Sequence, residues 1–527
     1  MRCWILALLL GLPSLALRAQ EGSADTPARF AKALKKLASD QVQVRESGSA
    51  EIAALPGEAL RLVEAELKKN TLDLEIRTRL EGAVPGLKLK ARKDAAARQK
   101  EAGLAWSRKT TIEAYLAVGR KDPKWDAKVR SALTLVARLW EGAGTMKEAR
   151  QVYELCSEAV QAGCDDPLVH YARARMYDSA INQSLPDNVQ LHVAAANAMK
   201  ERGARYHELR QSFCFARAAE LQSRSKKTLT EDDKKLVQGW LDLAVAHLGK
   251  GAADPEVQES ALKEIGDLMT ETWMKLTGDR RSGFDKVFEA LTQARPESTL
   301  PLLLKGQVYT DYAWDARGKG WASSVTKEGW KKMYERLAEA ETALMAAWKK
   351  NPDDPRAPTL MLGVELGQAK GREVLETWYK RAMAADPDNA DACRKKMYYL
   401  EPKWHGSQED MLAFGRELLA AGNWEARLPF QLVDAHLALA GYADKKETYY
   451  KDDRVWKDFQ AVYEGYLKRH PDAIWDRTFY AKLACWCERW REAKALFDVL
   501  GDQAAVGAFE SRAELDRFKS EAAAKGK

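Results

Sequence analysis

Apolar residues recur at helical spacing along most of the chain. In one clear example, Leu375, Trp378, Tyr379 and Ala382 stand at positions i, i+3, i+4 and i+7. This spacing places the four side chains on one face of an α-helix, which can be buried against a neighbouring helix. Pro387 then stops the helix, because proline lacks an N–H group and disfavours helical backbone at the residue before it.

The same face and the same stop signal recur elsewhere. Asn351-Pro352 precedes Asp386-Pro387 by 35 residues. Similar faces are formed by Ala149, Val152, Tyr153 and Cys156, by Leu209, Phe213, Ala216 and Ala219, and by Ala493, Leu496, Phe497 and Leu500. Strand signals are nearly absent, since β-branched residues do not alternate with polar ones. We therefore predict an all-α fold in which helix pairs stack into an α-solenoid.

The N-terminal part carries a different repeat. Val44-Arg45 and Ile76-Arg77 lie 32 residues apart, and each pair follows an aspartate within a few residues. Between them, a helix face is formed by Leu60, Val63 and Leu67. This pattern resembles the HEAT repeat, which is a pair of helices, so a HEAT-like array is predicted over residues 26–88.

Residues 356–387 resemble the tetratricopeptide repeat (TPR), a helix pair of 34 residues. Leu362 and Gly363 fall in the first helix of the pair, while Thr359 stands where the family has its first aromatic residue. The small residues Gly363 and Ala382 would let two helix backbones approach closely. The resemblance implies stacked helix pairs whose inner face holds an extended peptide or a partner helix.

A more specific resemblance covers residues 309–436. The segments that carry it are Trp314-Asp315-Ala316-Arg317-Gly318 and Glu401-Pro402-Lys403-Trp404-His405-Gly406-Ser407. They are similar to a bacterial family that is known only as a domain of unknown function and that combines a WxARG segment, TPR-like helices and a PKWxGS turn. The resemblance implies a TPR-like fold and a bacterial origin compatible with export, and it implies no activity or cofactor.

These signals predict five regions. They are a signal peptide at 1–19, HEAT-like helices at 26–88, an irregular TPR-like region at 89–300, a TPR-like domain with the WxARG and PKWxGS segments at 301–503, and a capping or frayed tail at 504–527. Within them, residues 89–109 are expected to form a connecting helix, and the polar stretch 223–233 is expected to be a loop.

The composition of the chain argues against nucleic-acid binding, a disulfide framework and a membrane span. The chain has 84 basic and 77 acidic residues, a net charge of +7, with both signs interspersed. Because a nucleic-acid groove needs clustered basic residues, nucleic acid is not expected as a partner. The cysteines beyond Cys3 are too dispersed for a disulfide framework and are expected to be buried apolar residues. No stretch after residue 19 is apolar for long enough to predict a membrane span.

Motifs for catalysis and metal binding fall short of their consensus. His207 begins a segment that resembles a zinc-protease helix, but Gln211 stands where the second histidine is required. Phosphate-binding loops and nucleophile elbows do not occur. We therefore predict no catalytic residue, no metal site and no cofactor.

The seventeen tryptophans suggest a recognition surface. Segment 309–321 contains two glycines and is expected to interrupt the helices, and Trp404 follows Pro402 in a second interruption. Aromatic and arginine side chains on loops favour recognition, although such rings can also fill gaps between irregular helices or stack on sugars. The predicted partner-binding residues are Tyr312, Trp314, Arg317, Trp321, Trp404 and His405.

The sequence thus predicts a non-enzymatic scaffold that binds a peptide or partner protein along a helical-repeat groove. The alternative is an exported helical enzyme that acts on glycans through an aromatic-lined acidic cleft. A third interpretation is a structural component of the cell envelope, which predicts self-association.

The location of the protein is predicted from its first nineteen residues. Arg2 supplies a positive start, Trp4 to Leu12 the apolar stretch, and Leu17-Arg18-Ala19 a small-residue cleavage site. These are the parts of a secretory signal peptide, so we expect an exported protein, periplasmic or extracellular.

Residues 1–25 fused to a reporter enzyme should direct the reporter out of the cytoplasm, because they contain the whole predicted signal. The distribution of reporter activity between cell fractions measures the result. A reporter that stays in the cytoplasm would show that the export prediction is wrong.

Overall fold

The computed structural model describes residues 25–140, 144–201 and 207–527. In these ranges the chain forms helices and no strands, which confirms the predicted all-α fold. The predicted signal peptide at 1–19 lies outside the described residues. The chain divides into two compact units, a first unit that ends at Pro352 and a second unit that begins at Asp353.

The first unit contains fifteen α-helices among its described residues. They are α1 (Thr26–Leu37), α2 (Val42–Ala54), α3 (Leu60–Leu67), α4 (Leu74–Lys109), α5 (Ile112–Val118), α6 (Asp126–Trp140), α7 (Met146–Gln161), α8 (Pro167–Met176), α9 (Leu185–Glu201), α10 (His207–Ser225), α11 (Glu231–Ala252), α12 (Glu259–Thr277), α13 (Arg280–Ala294), α14 (Leu300–Arg317) and α15 (Lys327–Lys350). Short 3₁₀ turns at Gly57–Ala59 and Ala322–Ser324 and a π-helical turn at Tyr177–Ile181 complete it.

Each helix of the first unit packs mainly on the helices next to it in sequence. α10 contacts α9 and α11, and α14 contacts α13 and α15. Alternate helices also touch, so that α10, α12 and α14 form one row while α11 and α13 pack together. In an α-solenoid, the apolar face of each helix is covered by the next helix in the chain and by the one after it, as it is here.

The N-terminal helices share a small core of their own. α1 packs on α2 and α3 on α4, around buried side chains such as Phe30, Leu37 and Ile52. α4 is a single helix of 36 residues that runs through the predicted boundary at residue 88. Residues 89–109, expected to be a connecting helix, are the second half of α4.

The second unit contains ten α-helices. They are α16 (Arg356–Gln368), α17 (Arg372–Ala385), α18 (Ala390–Tyr399), α19 (Gln408–Ala421), α20 (Gln431–Leu439), α21 (Lys446–Tyr450), α22 (Asp453–Leu467), α23 (Ile474–Trp486), α24 (Trp490–Leu500) and α25 (Arg512–Lys525). Its 3₁₀ turns are Leu428–Phe430, Gly501–Gln503 and Val506–Ala508. α16, α18 and α20 touch in series, as alternate helices do in the first unit.

Most residues of the predicted helix faces are buried, and the others are partly buried. Leu375, Trp378, Tyr379 and Ala382 are all buried on α17. Much of the aromatic content serves the same purpose in the second unit, where rings stack between helices. The Tyr480 ring lies 5.4 Å from the Trp456 ring and 4.8 Å from the Tyr463 ring, nearly parallel to both. Aromatic pairs of this kind add to the stability that their buried area provides.

Two predicted loops are shorter than expected. Segment 309–321 does not interrupt the helices at its start, because Tyr309 and Ala313 are buried on one face of α14 and the helix continues to Arg317. Stretch 223–233 is a loop only in its middle, at residues 226–230, because both of its ends belong to the flanking helices. α10 reaches Ser225, and Thr230 caps the next helix by accepting a hydrogen bond from the Asp233 backbone N–H.

The predicted burial of the cysteines is confirmed, since all six in the described ranges are buried and free. Across residues 25–140, 144–201 and 207–527, every helix falls short of the length or apolar character that spanning a bilayer requires.

The last helix packs against the rest of the second unit. α25 contacts α24 and α23 and buries Leu515, Phe518 and Ala522. These contacts close the end of the stack, because they cover apolar surface that α23 and α24 would otherwise expose to water.

Leu515→Ala should lower the free energy of unfolding by about 2–5 kcal/mol, because it removes a fully buried side chain and leaves a cavity. Urea denaturation measures the change. Val499→Ala is the control, since Val499 is 68% exposed on α24 and its truncation should change the stability by no more than about 0.5 kcal/mol. Equal effects of the two substitutions would mean that α25 is frayed.

Candidate functional site

The WxARG segment ends α14 and shapes the turn after it. The Arg317 Nη1 donates to the backbone oxygen of Gly320 at 2.9 Å. The guanidinium carbon lies 5.6 Å from the Trp314 ring centroid and 5.8 Å from that of Trp330. Gly318 has φ 75° and ψ −179°, a backbone conformation that is essentially restricted to glycine. These contacts fix the path of the chain from α14 into α15.

The other predicted residues of the first unit differ greatly in exposure. Tyr312 packs under Arg336, whose guanidinium carbon lies 3.1 Å from the ring centroid and whose Nη1 donates to the Tyr312 backbone oxygen at 2.6 Å. Burial raises the pKa of Tyr312. Trp321, in contrast, lies in the turn after α14 and is 83% exposed. Trp321 is therefore the predicted residue of this unit that is most available to a partner.

The PKWxGS turn connects α18 to α19 in the second unit. The Ser407 hydroxyl caps α19 by accepting a hydrogen bond from the Asp410 backbone N–H at 3.1 Å. The His405 Nε2 lies 2.9 Å from the Leu366 backbone oxygen. A Cβ at Gly406 would stand 2.3 Å from the Leu400 oxygen, so only glycine fits this turn. His405 thus bonds to the end of α16, two helices earlier in the chain.

Trp404 belongs to a half-exposed group beside this turn. Its ring centroid is 5.8 Å from that of Tyr398, over which the Lys403 Nζ lies at 4.5 Å. Glu401 accepts hydrogen bonds from the Tyr442 hydroxyl at 2.7 Å and from the Lys403 ammonium at 2.8 Å. The six predicted residues therefore fall into two sets, four in the first unit and two in the second.

A groove that the sequence analysis did not predict lies between α17, α18 and α19. Its volume is about 320 Å³. It is lined by Arg372, Glu376, Tyr379, Lys380, Lys396, Asp410, Ala413, Phe414 and Glu417. We call it the Lys396 groove, because the Lys396 side chain lies at its base.

Lys396 is a buried cation, only 4% exposed. Its Nζ donates to the Glu376 Oε2 at 2.8 Å and lies 4.2 Å from the ring centroids of both Tyr379 and Phe414. The two rings meet edge to face, with centroids 5.5 Å apart. An ammonium group is stable in such a place only if a carboxylate and ring faces replace the water that it has lost.

The carboxylate of Glu376 is held in its charged form. Burial alone would raise the pKa of Glu376, but hydrogen bonds from Lys396 and Arg372 outweigh this effect and lower it below the ordinary value. The neighbouring hydroxyl changes in the opposite direction, since burial raises the pKa of Tyr379. The base of the groove therefore consists of one ion pair and neutral aromatic rings at physiological pH.

The rim of the groove carries charges of both signs. Arg372 connects α17 to α19, with its Nε 2.9 Å from Glu376 and its Nη1 3.5 Å from Asp410. Lys380 and Glu417 are exposed. Within the described part of the chain, neither of these two side chains forms a hydrogen bond or an ion pair, so both are available to a ligand.

One local signal could have pointed to this groove. Lys396 follows Cys393 by three residues and precedes Tyr399 by three, so it shares a helix face with two buried side chains. A lysine on an apolar face requires a partner from another element. The sequence does not reveal that this partner is Glu376, because the pairing depends on how α17 packs against α18.

Acidic side chains also gather near Trp314. Arg280 bonds to Asp315 at 2.5 Å and to Glu271, and burial raises the pKa values of Asp267 and Asp311. These acids lie on α12 and α14, which pack together. Among the described residues, no group of three or more His, Cys, Asp or Glu side chains is arranged to hold a metal ion.

Comparison with known proteins gives structural likenesses at low identity. No family model matches the chain, and the search of curated proteins gives no match. A human IFIT1 dimer with m7Gppp-AAAA is similar at 11% identity and a TM-score of 0.30, over 92% of this chain and 95% of that chain. A circular tandem repeat protein with novel repeat topology is similar at 13% identity and a TM-score of 0.23, over 91% of this chain and 96% of that chain.

Glu376→Gln should lower the free energy of unfolding by about 3 kcal/mol at neutral pH, because it leaves the buried Lys396 ammonium without its carboxylate. Urea denaturation measures the loss. The pKa of Glu376 is lower in the folded protein than its ordinary value of 4.5. The carboxylate therefore stabilises the fold fully above pH 4.5, and this stabilisation is lost as the pH falls below that value. The difference between the two proteins should therefore shrink in acid.

Glu417→Gln is the matched control for this substitution, because it removes an exposed carboxylate from the same groove and should change the stability by no more than about 0.5 kcal/mol. A Glu376→Gln protein as stable as this control would contradict a structural ion pair at the base of the groove.

Proposed function

We propose that the protein is a non-enzymatic scaffold that binds a peptide or a segment of a partner protein in the Lys396 groove. The observation that carries this proposal is a groove with aromatic rings at its base and free charges of opposite sign, Lys380 and Glu417, on its rim. Helical-repeat proteins use the surfaces between stacked helices in this way.

The dimensions and charges of the groove define its ligand. A volume of about 320 Å³ is at the lower end for ligand pockets, so it accommodates one or two side chains of a longer segment. A ligand that carries one acidic and one basic group can pair with Lys380 and Glu417 without breaking an existing ion pair. Arg372, by contrast, already has partners in Glu376 and Asp410, and serves to hold the two sides of the groove together.

A photo-activated cross-linking residue at Ala413 should capture the partner, because this residue is exposed and lines the groove. With the partner purified, Lys380→Glu and Glu417→Lys should each weaken binding about tenfold, since each reverses a charge that faces the ligand. Titration calorimetry measures the dissociation constants.

Lys457→Glu provides the control for charge, because Lys457 is an exposed lysine of α22 outside the groove. It should leave the affinity unchanged. If the groove variants bind the captured partner as well as the original protein does, the partner is held elsewhere. Trp314→Ala and Arg317→Ala then test the predicted residues of the first unit.

A glycan-processing enzyme remains the second candidate. The observation that favours it is the group of acidic side chains on α12 and α14, where the pKa values of Asp267 and Asp311 are raised, since glycoside cleavage needs a carboxyl group that can act as a general acid. Incubation of the purified protein with oligosaccharides, followed by measurement of new reducing ends, separates the two candidates. Release that Asp311→Asn abolishes would replace the scaffold proposal.

A further inference from the structure

The turn between α14 and α15 presents aromatic rings to solvent. Trp321 is 83% exposed and Tyr334 is 48% exposed. The Tyr334 ring stacks on Trp330, with centroids 5.9 Å apart and an angle of 20° between the planes. We call residues 317–334 the tip surface. It lies in the first unit, whereas the Lys396 groove lies in the second, so the two can be tested independently.

The tip surface is also basic. Residues 317–334 contain five basic side chains and one acidic side chain. Arg317 is engaged in the turn, and Lys332 lies 3.5 Å from Glu328. The other three, Lys319, Lys327 and Lys331, are exposed, and in the described part of the chain they have no acidic partner.

The aromatic and basic side chains of α15 share one face. Lys327, Lys331 and Tyr334 follow each other at i, i+4 and i+7, and Trp330 lies between them at i+3. Gly329 and Met333 are buried on the other side of the helix. The solvent-facing side of the first turns of α15 therefore carries aromatic rings together with lysines.

We propose that the tip surface docks on an anionic lipid bilayer. Trp and Tyr rings prefer the headgroup level of a membrane, where their apolar bodies leave water while their polar atoms stay hydrated. Each lysine close to an anionic bilayer strengthens binding by on the order of fivefold at physiological salt. Ala322, Ser323 and Ser324 are small and exposed beside Trp321, so the turn can enter the headgroup region without a steric clash.

Two features favour a bilayer over a protein partner. Trp321 projects from a turn, and its ring can insert into a fluid bilayer, which needs no preformed pocket for it. The free charges are all lysines, which act as point charges towards a diffuse anionic surface, whereas arginine is the usual choice for bidentate contacts with specific acidic groups. The fixed geometry of Arg317 and Gly318 holds Trp321 outward before contact.

Flotation with vesicles tests the proposal. The protein is mixed with vesicles of phosphatidylcholine alone or with about 30% phosphatidylglycerol, which supplies the anionic surface. It should float with the anionic vesicles and much less with the neutral ones, and about 0.5 M salt should release it. Trp321→Ala should reduce the partition coefficient at least fivefold, and the triple variant K319Q/K327Q/K331Q at least tenfold.

Matched controls come from the second unit. Trp475→Ala removes another exposed tryptophan, which is 51% exposed, and K446Q/K457Q/K468Q removes three exposed lysines with the same change in net charge. Both controls should bind anionic vesicles as the original protein does. Any contribution from the apolar residues 4–12 is common to all variants, so the comparison isolates the tip surface.

Several results would overturn the proposal. They are equal binding to neutral and anionic vesicles, binding that survives both tip variants, or equal losses in the tip and control variants. The same variants are titrated with a single-stranded oligonucleotide and with an acidic protein. If these bind with tip-dependent affinity while vesicles do not, the surface recognises a different polyanion and the lipid assignment is wrong.

Discussion

Burial of a one-sided apolar face is the constraint on which the described structure depends. A helix such as α17 has buried residues on one side and charged residues on the other, so it cannot exclude water from its apolar face alone. The next helix, and the next but one, cover that face. The stack can therefore extend without a central core, and its last helix, α25, buries Leu515 and Phe518 to close the end.

The same constraint governs polar groups inside the stack. Lys396 obtains a carboxylate from α17 and ring faces from α17 and α19. His436 on α20 is similarly enclosed, with its Nε2 2.9 Å from Asp458 and its Nδ1 2.8 Å from the Tyr449 hydroxyl. In both cases the partner comes from a different helix. These bonds require specific helix contacts, since a shifted neighbour would leave a buried polar group unsatisfied.

The WxARG segment ends a helix and the PKWxGS segment forms a turn, and both contain a glycine with demanding backbone geometry. Gly318 ends α14 in a conformation essentially restricted to glycine, and Gly406 sits where any side chain would meet the Leu400 oxygen. Arg317 and His405 each bond to a backbone oxygen near their turn or at a neighbouring helix. These contacts give most of the two motifs a structural role. The exposed ring of Trp321 has no such role within its turn.

The sequence by itself determined the helices, their buried faces and the burial of the cysteines. These features depend on residues within a few turns of one another, so spacing such as that of Leu375 and Tyr379 is sufficient. The prediction that segment 309–321 interrupts the helices was wrong for its first part. α14 continues to Arg317, because Tyr309 and Ala313 are buried on its apolar face. Only the tertiary structure decided that Glu376, Lys396 and Phe414 meet in one groove, because their contacts depend on the packing of three helices, which no local pattern encodes.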